Sequence, residues 1–154
     1  MSEHTETRVW EWIDCLDPFR IGRRVRWAEC DPAGVAHTGR FPDFLLSAAE
    51  LYLSHLLEAP AQVFLRQNDF VTPARALQMT FKRAMSPNQV MLITPYIQEI
   101  LTTDFVIAIE AVDEIGDALF SGSVTLVTIP SMSERRSMAI PESARRKLQH
   151  GLRV

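Results

Sequence analysis

The sequence predicts an α+β domain in which an antiparallel sheet curls around one long, largely apolar helix. Three observations carry this. A run of period-two alternation ends near Trp27, a segment from Phe41 to Glu58 shows only a narrow polar stripe, and four strand-like runs follow it, the last two joined by the turn-rich Asp113-Glu114-Ile115-Gly116-Asp117.

Residues 1–18 are a charged lead-in with Trp10 and Trp12 beside Glu11 and Asp14, expected as a tail that packs one tryptophan against the body. Residues 19–154 are expected as a single domain. From Phe19 to Trp27, Ile21, Val25 and Trp27 alternate with Gly22, Arg24 and Arg26, so the run is a strand with one wet face; Arg23 interrupts its buried side. In the helix, Asp43, Ser47, Glu50 and Ser54 recur at steps of three and four, leaving Phe44, Leu45, Ala48, Leu51, Tyr52 and Leu56 to be enclosed. Pro42 is tolerated only in a first turn, which sets the start near Gly39 or Arg40. Ala59 to Asn68 is a connector, either open or with one more helical turn, since Pro60 ends one element and Val63, Phe64 and Leu65 give a short apolar patch. The later strands are expected at Ala76–Arg83, Val90–Ile100, Thr103–Val112 and Ala118–Ile129, and Pro95 implies an edge position or a bulge in the second of these. Ser131 to Arg136 is a polar loop, and Pro141 to Gly151 a basic helix with Glu142 near its start and Arg145, Arg146 and Lys147 toward its end. A five-stranded sheet with open edges is a physical reason to expect pairing with a second subunit.

At 154 residues the chain can bury a core without staples, and a hydrophobic share of 47% with 23% charged residues is ordinary for a globular protein. A net charge of −3 gives no electrostatic case for nucleic acid. Cys15 and Cys30 form neither a disulfide framework nor a metal spacing, which points to a reducing compartment. Met1 to Thr7 is polar and acidic with no apolar core, and no run approaches the ~20 apolar residues of a membrane span. The expectation is a soluble cytoplasmic protein. No Gly-x-Ser-x-Gly, phosphate loop or redox motif is present, so neither a metal nor a redox cofactor is expected.

The chemistry is concentrated between Trp27 and Phe41, where Asp31-Pro32-Ala33-Gly34 leads through His37, Thr38 and Gly39 into the helix. Asp-Pro-x-Gly is first a turn signal. Asp31, however, stands just ahead of a helix whose first amides lack internal partners, which brings a carboxylate and a set of N–H donors to one small volume. Acyl transfer uses that pairing: the donors polarise a carbonyl oxygen while the carboxylate attacks or steers water. The alternative for Asp31 is a turn or cap aspartate. Glu29 either orients Asp31 or faces solvent. Cys30 has no base implied beside it.

Arg24-Val25, Cys30-Asp31, Gly34-Val35, His37, Gly39 and Phe41, at their spacings, resemble the active-site signature of the 4-hydroxybenzoyl-CoA thioesterase family; Ala36 stands where that family usually has valine. The resemblance spans roughly Phe19 to Leu148. It implies the hot-dog fold, a homodimer or homotetramer with sites at the subunit boundary, and hydrolysis of an acyl-CoA thioester. It places the catalytic carboxylate on Asp31 and the oxyanion-stabilising amide at Thr38 and Gly39. His37 falls where the family accepts His, Phe or Tyr, which implies a pocket-lining role, with Gly34 and Arg40 bordering the pocket and Phe41 either bordering it or, more simply, beginning the core. Lys82, Arg83, Arg135 and Arg136 are candidates for the coenzyme A phosphates. Some relatives carry a basic pair where this chain has Leu101-Thr102. Glu50 matches another hot-dog branch with its carboxylate on the central helix, but here it belongs to the polar stripe. The Asp-Pro-Ala-Gly turn resembles the aromatic acyl-CoA enzymes more than the short-chain ones. A non-catalytic acyl-binding module and a thioesterase acting on acyl carrier protein remain the alternatives.

Overall fold

The structure, a computed structural model, describes residues 9–153. Met1 to Thr7, read above for a leader, lies outside the described residues. Strands β1 (Glu11–Leu16) and β2 (Phe19–Arg24) form a hairpin through the cis Asp17–Pro18 peptide. The lead-in is therefore not a tail. Its second half is a sheet strand, and the tryptophan that packs on the body is Trp12, whose indole covers Gly22 so closely that a Cβ there would come within 2.1 Å of it.

Helix α1 (Phe41–Leu57) follows a 3-10 turn at Thr38–Arg40, with Pro42 in its first turn where the missing N–H has no helical acceptor. It buries Phe44, Leu45, Ala48, Ala49, Tyr52 and Leu53. The connector is helical: α2 (Ala61–Gln67) begins where the Ser54 hydroxyl accepts the Ala61 N–H at 3.0 Å, a cap reached across the bend and so invisible to local pattern.

Strands β3 (Ala74–Phe81), β4 (Val90–Ile100), β5 (Asp104–Val112) and β6 (Ala118–Val127) complete a six-stranded antiparallel sheet in the order β1-β2-β4-β5-β6-β3, and α3 (Glu142–Gln149) packs near the end of the chain. Six strands replace the expected five because β1 joins.

Two local expectations change. The strand ends at Arg24, and Trp27 sits in a 3-10 turn (Trp27–Glu29), 85% exposed, because the Glu29 carboxylate accepts the Arg26 N–H at 2.9 Å and the Cys30 N–H closes on Trp27 O. Pro95 lies in β4, third in the sheet, yet it breaks no ladder. Ile97, two residues on, turns its N–H away from β5 to the Gly151 carbonyl, Pro95 shares that orientation, and the β2 register stops at Ile21 opposite Ile93. A bulge follows between Ile97 and Glu99.

The core lies between α1 and one sheet face, where Phe105, Ile107 and Ile109 of β5 and Phe120 and Val124 of β6 are buried. Contact is tight at Gly122, where a Cβ would stand 2.6 Å from the Gln78 carbonyl oxygen and 2.8 Å from Leu45 Cδ1. Gly122→Ala is expected to destabilise the protein by about 1–3 kcal/mol in urea unfolding, because backbone on one side and a core leucine on the other must both yield. A loss under about 0.5 kcal/mol, the usual scatter for a surface change, would show that this seam is not tight.

Candidate active site

The turn ahead of α1 is a small hairpin. Cys30 bridges Ala36, the Asp31 N–H donates to Val35 O at 2.9 Å, and the Gly34 N–H returns to Asp31 O at 2.9 Å. Pro32 presets the first loop position, and Gly34 takes φ +81°, a left-handed conformation that a Cβ would strain. The Ala36 N–H donates to Met85 O at 2.7 Å, and the Met85 side chain is fully buried. Met85 was missed by sequence reasoning; its segment has no periodicity to mark it.

Asp31 is half-buried. Its Oδ1 accepts the Ala33 N–H at 2.8 Å, so it is a turn aspartate by geometry, while its Oδ2 has no partner among the described residues. On the opposing arm the His37 N–H donates to Glu29 O at 2.8 Å, and His37 Nδ1 accepts the Gly39 N–H at 3.0 Å. The two amides expected to act together are thus unequal. That of Gly39 is taken by His37, and that of Thr38 has no acceptor among the described residues. Both stand at the positive end of the 17-residue α1.

Glu29 neither faces solvent nor turns to Asp31; it pairs with Arg23. Partial desolvation and the carboxylates of Glu29 and Asp31 push the Cys30 thiol up from its usual range, which disfavours the thiolate a nucleophile needs. Phe41 is core rather than pocket lining: it is 5% exposed, with the rings of Phe81, Phe120 and Phe44 at 4.9, 5.0 and 5.5 Å. Arg40 stays on the surface, 4.0 Å from Asp43. Glu50 accepts a hydrogen bond from Gln62 on α2 at 2.7 Å.

The basic candidates separate. Arg83 is committed to Asp113 and Asp117 at 3.3 and 3.1 Å, clasping the β5–β6 hairpin. Arg136 pairs with Glu134 at 2.8 Å and Arg135 donates to Met132 O at 2.9 Å. Lys82 lines an open groove of about 450 Å³ on the outer sheet face together with Gln78, Tyr96, Ser121 and Ser123, a groove that Asp31, Thr38 and Gly39 do not line. Lys82 and the Asp31 turn are therefore not brought to one groove within a single chain.

No protein-family model matches the chain, and no curated protein matches its sequence. Solved structures do. A thioesterase-superfamily protein from Jannaschia sp. CCS1 is 25% identical, with a TM-score of 0.79 over 88% of this chain and 94% of that one. A 1,4-dihydroxy-2-naphthoyl-CoA thioesterase from Synechocystis is 21% identical, with a TM-score of 0.75 over 85% of this chain and 95% of that one. A hypothetical protein from Staphylococcus aureus, solved in complex with CoA, is 15% identical, with a TM-score of 0.79 over 96% of this chain and 90% of that one. The sheet wrapped on α1 is the hot-dog fold, and the structures it is similar to include thioesterase-superfamily proteins. Among the described residues no helix is long and apolar enough to cross a membrane.

Proposed function

We propose that this chain is an acyl-CoA thioesterase that converts a thioester and water to a carboxylic acid and free coenzyme A. The observation that carries the proposal is that one small hairpin bears Asp31 on its first arm and leads from its second into Thr38, with Asp31 Oδ2 and the Thr38 N–H both without a partner among the described residues. The Thr38 amide, backed by the α1 dipole, receives the developing oxyanion. The Asp31 carboxylate attacks the acyl carbon to give an anhydride that water then opens, or it takes the proton of an attacking water; either route expels the CoA thiolate, which leaves with a proton. His37 orients the helix entrance through Gly39 rather than acting as base. An aromatic acyl group is favoured by the Asp-Pro-Ala-Gly turn and by the naphthoyl-CoA enzyme among the similar structures.

The acyl pocket is completed by a second copy across β3. This edge strand is exposed along most of its length, and Leu77 and Phe81 stand 42% and 48% exposed on the face it shares with α1, with Phe81 against Phe41 at the helix start. A two-fold pairing of β3 with itself satisfies the open edge, covers those side chains and sets the partner beside the Asp31 turn.

Purified protein mixed with benzoyl-, 4-hydroxybenzoyl-, acetyl- and hexanoyl-CoA should release thiol, fastest from the aryl thioesters. Release from none would reject the enzymatic reading in favour of an acyl-binding module, the reading to which the Asp31–Ala33 turn bond lends support. Parallel rates on the carrier-protein thioesters identify what holds the thiol.

A further inference from the structure

We infer that Arg23 and Glu29 are a positioning pair that sets the Asp31 turn against the helix entrance, an inference that rests on the proposed role of Asp31. The pair is the middle of a polar chain that crosses four elements. On α1, the Ser47 hydroxyl reaches both carboxylate oxygens of Glu11 at 2.8 Å. Glu11, on β1, lies 3.8 Å from Arg23 Nε. Arg23, on β2, donates to Glu29 through Nη1 and Nη2 and to Arg24 O at 2.6 Å, and its guanidinium lies 5.0 Å over the Phe44 ring.

Glu29 is the junction. Its side chain is gripped by Arg23 and accepts the Arg26 N–H, while its carbonyl accepts the His37 N–H. The residue therefore fixes both arms of the hairpin: Asp31 follows it by two positions, and His37, which it holds, caps Gly39 next to Thr38. Arg23 and Glu29 side chains are only 11% and 12% exposed, so solvent screens their attraction little, and Phe44 beneath the guanidinium is 1% exposed. Without the clamp, the carboxylate and the Thr38 amide are tied only by the hairpin's own backbone bonds and the bond from Ala36 to Met85. This also accounts for an arginine on the inner face of β2, which the strand pattern could not accommodate. The planar fork matters: it reaches one carboxylate with two nitrogens and a second with the third.

The test compares Glu29→Gln, Arg23→Gln and the double variant with the parent, using whichever of the four thioesters is cleaved fastest. Each single change should lower kcat on the order of 10-fold or more while KM stays within about twofold, since a misplaced group costs rate before it costs binding. The double variant should fall no further than the worse single one, the non-additivity expected of one shared contact. A kcat within about twofold of the parent in both singles, or losses that multiply, would overturn the pair's role. Amide exchange gives a reading that does not depend on turnover: in Glu29→Gln the amides of His37 and Gly39 should exchange faster while those of β4 and β5 keep their protection, and unchanged exchange at His37 and Gly39 also overturns it. Full turnover in Asp31→Asn would instead reject the site itself, leaving the exchange result to judge the clamp.

Discussion

Asp31→Asn should lower kcat by about 10³-fold or more, with ligand affinity close to the parent's. Asparagine is a discriminating replacement here because its carbonyl oxygen can accept the same Ala33 N–H that Oδ1 accepts at 2.8 Å, so the turn survives while the negative charge and the nucleophile do not. The variant thus separates the turn role that the geometry shows from the catalytic role proposed for this side chain. Thiol-release kinetics and calorimetric titration with a non-hydrolysable thioether analogue of CoA make the comparison. Turnover equal to the parent's would mean that Asp31 only shapes the loop; lost affinity together with a lower melting temperature would mean that asparagine had not preserved it.

Met79→Pro should convert the proposed dimer to a monomer and remove most of the turnover. Phe81 opposes Phe120, and the Lys82 N–H bonds to Leu119 O across that ladder, so alternation along an antiparallel strand sends the N–H and C=O groups of Leu77, Met79 and Phe81 to the open side of β3. Proline at 79 therefore deletes a donor that faces outward and leaves the β6 ladder intact. Light scattering reads the mass and circular dichroism reads the fold. A folded monomer with parent-like kcat/KM would show that one chain suffices for catalysis; a dimer that persists would place its interface elsewhere.

The sequence made some of this legible because the signals were local. Asp43, Ser47, Glu50 and Ser54 draw the outer stripe of α1 at helical spacing, Pro42 marks its first turn, and Asp113-Glu114-Ile115-Gly116-Asp117 does form the β5–β6 hairpin, with Asp113 Oδ1 accepting the N–H groups of Ile115 and Asp117 at 3.0 and 2.8 Å. What was missed depends on residues far apart in the chain. Trp27 continues the alternation of Ile21 and Val25 but is thrown out to solvent where Glu29, which Arg23 also holds, caps the turn. Arg83 reads from sequence as a candidate for the coenzyme A phosphates, but the fold pairs it with Asp113 and Asp117 of the distant hairpin. The Asp31 hairpin itself was visible as a turn, whereas the unequal standing of the Thr38 and Gly39 amides depends on which way one imidazole nitrogen points.

The strand order bears on how fast the molecule assembles. Strands β4, β5 and β6 form a meander closed by short hairpins and can zip early, whereas β2 must find β4 with the whole of α1 and β3 looped out between them, and β3 must pass over β4 and β5 to reach β6. Such long-range closures slow folding. The β3 rim, where the proposed second copy would dock, is therefore among the last parts to take shape, and if that dimer forms, dilute refolding should reveal a lag in which a compact, ligand-incompetent monomer waits for its counterpart.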